Sequence, residues 1–114
     1  MNLKSDIWVG AHLRRWQAEG LFATVIAKGA AEAGAIFVIV NHLDGNLHLF
    51  GPAPGPTYDD EGARRFIEEI AFPARQEAVD RLLARRRAAD PDIWIVEVED
   101  RRGTAGLAAI KDEP

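Results

Sequence analysis

Between Ala35 and Gly51 the chain reads AIFVIVNHLDGNLHLFG: an apolar run, a turn signal, and a second apolar run. Asp-Gly between strand-forming flanks marks a hairpin, because both residues tolerate the positive φ that a type I′ turn requires. The pattern predicts antiparallel strands over Ile36–Leu43 and Asn46–Phe50. With Asp44 and Gly45 as the central turn residues, Leu43 faces Asn46, His42 faces Leu47, Asn41 faces His48 and Ile39 faces Phe50. Strand side chains alternate, so Phe37, Ile39, Asn41, Leu43, Asn46, His48 and Phe50 then share one face. Ile36, Val38, Val40, His42, Leu47 and Leu49 share the other. Both faces are apolar near Ile36–Val40, which predicts a central strand covered on both sides. A three-residue loop would shift the pairing by one and bring His42 and His48 onto one face.

The flanking elements follow from the same reading. Val9, Leu13 and Trp16 recur at helical spacing, Ser5 suits an N-cap, Asp6 favours the first turn, and Gly20 suits a stop. A helix over residues 6–19 is expected, although Ile7-Trp8-Val9 also suits the opening of a strand. Leu21–Lys28 reads as a strand, and its closeness to the hairpin predicts an antiparallel meander. Gly51–Ala63 holds three prolines and three glycines, which predicts an exposed loop. Arg64–Ile70 fits a short strand with Phe66 inward, or a helical turn. Pro73 then opens a helix over 74–89, with Ala78, Val79, Leu82, Leu83 and Ala89 on one side, and Asp90-Pro91 ends it. Ile93–Glu99 is the last strand, with Trp94, Val96 and Val98 pointing one way and Ile93, Ile95, Glu97 and Glu99 the other. The tail, residues 104–114, either frays or adds a short element at Leu107–Ile110.

The expected fold is α+β: an antiparallel sheet of four to five strands with two helices, in the order helix, strand, hairpin, strand, helix, strand. A chain of 114 residues forms one domain, here residues 1–114. If both helices pack on one side, the apolar face left over exceeds what a monomer tolerates, which predicts a homodimer.

Composition narrows the function classes. The chain is 47% hydrophobic and 28% charged, as globular proteins are, and its net charge of −4 weighs against a dedicated nucleic-acid binder. It has no cysteine, hence no thiol nucleophile and no cysteine-based zinc site. No run approaches a membrane span or a signal peptide, so the expected location is cytoplasmic.

The segment RRRAADPDIWIVEVEDRRG, the opening KSDIWVGAHLRRWQAEGLFATVIAKG and the hairpin ending in a glycine-proline loop carry a resemblance. Together they resemble family 1491 of the domains of unknown function, a group of small alphaproteobacterial proteins. The likeness spans roughly Leu3 to Gly103. It implies a compact bacterial domain, and no activity, cofactor or catalytic residue comes with it.

Candidate chemistry is sparse. His12, His42 and His48 invite a metal reading, but the two-residue turn places His42 and His48 on opposite faces, so no metal site is expected. Arg85, Arg86 and Arg87 point in three directions on a helix. Arg86 continues the apolar stripe and needs a carboxylate, with Asp90, Asp92 and Glu97 nearest in sequence. Asp59, Asp60 and Glu61 lack the spacing of a calcium loop and read as a solvated acidic turn. No phosphate-cradling glycine loop is present, because prolines interrupt Gly51–Gly55, and no cofactor is expected. The leading reading is a non-catalytic binding or protein-interaction module contacting its partner through Tyr58, His48, Arg86 and Trp94. The second is a small-molecule binder or enzyme using His12, His48 or Glu97. The third is a weak anion or nucleic-acid binder through Arg14, Arg15, Arg64, Arg65 and Arg85–Arg87, which requires one contiguous basic face.

Overall fold

In the computed structural model, which describes residues 3–110, the elements run α1 (Ser5–Ala18), β1 (Ala23–Ala27), β2 (Ile36–Asn41), β3 (Leu47–Pro52), β4 (Phe66–Glu68), α2 (Gln76–Ala89) and β5 (Trp94–Glu99). The strands form one sheet in the order β1-β5-β2-β3-β4. The α+β class with two helices therefore holds, but the sheet is mixed. β5 inserts between β1 and β2, antiparallel to the first and parallel to the second. The expected β1–β2 meander is thus corrected. Of the two candidate neighbours for β2, β5 offers apolar side chains on both faces, and a strand of that kind belongs in the interior. β1 carries alternating exposed residues and goes to the edge.

The hairpin forms, one residue out of the expected register. Val38 pairs with Phe50, Ile39 with Leu49, Val40 with His48 and Asn41 with Leu47. The loop holds three residues, Leu43, Asp44 and Gly45, with φ of 65° at Leu43 and 90° at Gly45. Side chains drive this choice. The Leu43 N–H donates to Asn41 Oδ1 and the Asn46 N–H to Asp44 Oδ1, so the loop closes on its own polar groups. A tight two-residue turn would forgo both bonds.

The helices lie on opposite faces. Trp8, Val9 and Trp16 of α1 pack with Ile36, Val38, Val40, Phe50, Phe66, Trp94, Val96 and Val98. Val79 and Leu83 of α2 pack with Phe37, Ile39, Leu47, Leu49, Ile93 and Ile95. The argument for a homodimer from two helices on one side therefore has no footing in this arrangement. Helix starts also differ from expectation. Lys4 takes the cap position of α1, and Ser5, buried inside the first turn, donates its hydroxyl to the Gly34 carbonyl at 2.6 Å. α2 begins at Gln76 because Ala74 exchanges both backbone hydrogen bonds with Leu47.

Over residues 104–110 the tail lies against the sheet instead of fraying. Ala105 and Leu107 are buried, the Ile110 N–H donates to the Phe66 carbonyl, and the Ala105 carbonyl accepts from Trp16 Nε1 at 2.8 Å. Residues 111–114 lie outside the described residues.

Two predictions follow from the packing of the connections. A Cβ on Gly29 would sit inside van der Waals contact of the Asp92 carbonyl, which is backbone and cannot swing away. Gly29→Ala should cost about 1–3 kcal/mol in urea unfolding, as overpacking does. Arg86 binds Glu69 at 2.8 Å, not the carboxylates nearest in sequence, and the Glu69 side chain is only 5% exposed. Arg86→Ala strands that charge and should lower stability by roughly 1–3 kcal/mol, while Glu69→Gln on the same background recovers part of the loss.

Candidate functional site

Four residues of α1 spacing separate Trp8 from His12 and His12 from Trp16, so all three rings share one side of the helix. The His12 imidazole stacks on Trp8 with centroids 3.7 Å apart and meets Trp16 edge-on at 5.5 Å. Its Nδ1 lies 2.9 Å from the Trp8 carbonyl. A carbonyl only accepts, so Nδ1 carries the proton and the neutral ring leaves Nε2 as a free lone pair. Burial pushes the imidazole below its ordinary pKa. The bond to Trp8 opposes that shift, and the charges of Arg15 and Arg64 reinforce it.

The Trp8 and His12 rings form one wall of a cleft of about 570 Å³, closed on other sides by Arg64, Phe66 and the tail residues around Leu107. Arg64 sits just before β4, which carries Phe66 inward against Trp8 at 5.6 Å. Its guanidinium lies 4.9 Å from the Tyr58 ring centroid and 5.8 Å from that of Trp8. Nε and Nη2 donate to the Tyr58 hydroxyl at 3.2 and 2.9 Å, and Tyr58 in turn donates to the Leu3 carbonyl at 2.6 Å. Among the described residues no carboxylate lies within ion-pair distance of Arg64, and its Nη1 has no acceptor. Arg15 in the same cleft is held only loosely, 4.0 Å from Glu19. The carboxylate of Asp59, also at the cleft, accepts the N–H groups of Glu61 and Ala63 and so is turned to its own loop.

The loop that carries the tail has its own fastening. Burial works to raise the Asp100 pKa, but backbone N–H donors from Ala105, Arg102 and Gly103 outweigh it, with the charge of His42 adding to the net lowering. That carboxylate thereby holds the turn leading to Ala105 and the cleft.

The other residues singled out from sequence are scattered. Trp94 is buried and donates Nε1 to the Ala30 carbonyl, and Tyr58 is buried against Arg64. Arg86 is taken by Glu69. The shifted hairpin register does bring His42 and His48 to one face, 5.0 Å apart, correcting their expected separation. His48 bonds Glu68 at 2.5 Å, His42 bonds the Gly103 carbonyl at 3.0 Å, and no group of three or more His, Asp or Glu side chains converges on them among the described residues. Glu97 faces the α2 side, where Asn41 donates to it at 3.2 Å, so it does not join His12 on the α1 side. Arg14 and Arg15 belong to α1 and Arg85–Arg87 to α2, on opposite faces of the sheet, so the arginines of the two helices do not share one surface. Arg65 instead clips its own loop by donating to the Pro54 and Pro56 carbonyls. Sequence reading missed Trp8 and Leu107. The i, i+4 repeat of Trp8, His12 and Trp16 was the available signal.

Residues 3–108 match a family model described as "Protein of unknown function (DUF1491)". None of the curated proteins compared matches the chain. The solution structure of protein Atu0922 from A. tumefaciens is similar, with 42% identity and a TM-score of 0.80, covering 100% of this chain and 98% of that one. The crystal structure of a DUF1491 family protein from Caulobacter crescentus is 36% identical with a TM-score of 0.79, covering 98% of this chain and 100% of that one. Among the described residues no helix is long and apolar enough to cross a membrane.

The lowered His12 pKa has a signed consequence. The unfolded chain takes up the imidazole proton near the ordinary value of 6.5, before the folded chain does. Stability is therefore lost as pH falls from 6.5 through the lowered folded value, and the loss is complete below it. In urea unfolding over that window, His12→Gln should show a shallower pH dependence than the parent, and the His12 ring resonances should titrate below 6.5.

Proposed function

Because the chain belongs to the DUF1491 family, whose description carries no activity, we propose a function from its own geometry: the α1–tail cleft binds a small anionic molecule without transforming it. The observation that carries this reading is Arg64. Its guanidinium stands in the cleft with one nitrogen free of any acceptor among the described residues, held in place by Tyr58. The free nitrogen of a guanidinium already held in place suits a carboxylate or phosphate oxygen, since a charge-assisted bond forms without reorganising the side chain. Arg15 adds positive potential, and Leu107, Ala109 and Ile110 offer an apolar wall for the remainder of the ligand. Neutral His12 contributes a lone pair, which favours an oxyanion that still carries a hydroxyl, as a singly protonated phosphate does.

Inorganic phosphate and acetate are the probes. Calorimetric titration should show saturable phosphate binding that Arg64→Gln weakens by about ten-fold or more, the equivalent of one lost charge-assisted bond. Acetate should bind more weakly than phosphate. Because bound anion offsets the fields of Arg15 and Arg64, phosphate should raise the His12 titration midpoint and be taken up with a fraction of a proton. Equal binding by the parent and Arg64→Gln proteins contradicts the reading.

A further inference from the structure

β1 is an open edge of the sheet. Its inner side is engaged with β5: the Phe22 carbonyl accepts from the Glu99 N–H at 2.8 Å, and Thr24 stands opposite Glu97. In an antiparallel ladder the bonded positions alternate, so Ala23 and Val25 turn their N–H and C=O groups outward, away from β5. Such a row of unmet donors and acceptors is a template for another strand. Two of the most exposed large apolar side chains sit on this same strand region, Phe22 at 64% and Ile26 at 56% exposure. Ala23 belongs to the α1-side core, so Phe22 and Thr24 project on the other side, as does Ile26, which the bulge between Val25 and Ala27 turns out beside Ile39, Leu83 and Ile95.

We infer that β1 pairs antiparallel with β1 of a second copy of this chain about a two-fold axis at Thr24, joining two five-stranded sheets edge to edge. The register is selected by complementarity. Centring on Thr24 bonds Ala23 to Val25 of the second copy, and Val25 to its Ala23, so every outward group of the two residues meets a partner. It also sets Phe22 against Ile26 twice, apolar on apolar. Centring on Ala23 would set Phe22 against Thr24, and centring on Val25 would set Phe22 against Lys28. A two-fold axis is also the commonest closed symmetry, because one self-complementary patch satisfies both copies.

Sedimentation equilibrium of the full chain from micromolar to millimolar concentration tests this. The inference expects a monomer–dimer equilibrium that Phe22→Lys and Ile26→Lys each weaken by ten-fold or more. Both side chains are solvent-exposed in the monomer, so unfolding does not confound the result, and circular dichroism checks it. Amide exchange at Ala23 and Val25 should slow as concentration rises. A monomer at every concentration overturns the inference. So does a dimer indifferent to Phe22 and Ile26.

Discussion

The parallel contact between β2 and β5 governs the rest of the molecule. Val38 lies against Val96 and Val40 against Val98 on one face, Phe37 against Ile95 on the other, and all six side chains are buried. Two adjacent strands that are apolar on both sides cannot leave either face to water. Each fully buried aliphatic or aromatic side chain here is worth about 1.5–3 kcal/mol, so the pair supplies the largest local concentration of driving force. A parallel pair also needs a crossover connection. The route from β2 to β5 passes through β3, β4 and α2, which lays α2 across one face, while α1 closes the other.

That layering fixes where unsatisfied chemistry remains. Strands that are weak on one side, β1 and β4, are pushed to the edges. At the β4 edge the sheet is short, and α1, the tail and the segment carrying Arg64 must fill the corner together. They fill it incompletely. The stacked rings of Trp8 and His12 and the guanidinium of Arg64 line the cleft that results. At the β1 edge the backbone ladder stops with apolar residues still facing water. A cationic cleft at one margin and a self-complementary strand at the other are thus two consequences of one buried pair.

Local pattern made most elements legible. Both helices, the hairpin strands, the short Phe66 strand and the final strand were visible as runs of period 3.6 or 2, since these depend on neighbours in sequence. What escaped depends on distant or competing contacts. The β1–β5–β2 order is a contest between partners separated by tens of residues, and adjacency in sequence favoured the wrong one. The hairpin loop turned on whether Asn41 and Asp44 would bond their own backbone, a side-chain competition that the Asp-Gly signal hides. For the site, His12, Arg15 and Arg64 were each noticed as single residues. Their convergence was not, because it relies on a tail anchored by Asp100 and by the Trp16 bond to Ala105, across 89 residues of chain.

Direct observation of the Arg64 side chain decides the central issue, whether its charge waits in the cleft for an anion. In nitrogen-resolved spectra recorded during phosphate titration, the Arg64 Nε–H resonance should shift saturably and its Nη protons should exchange more slowly with water. Arg81 and Arg85 on α2 should show only weak, linear drift. An Arg64 signal that stays put, or moves no differently from those on α2, would contradict the account.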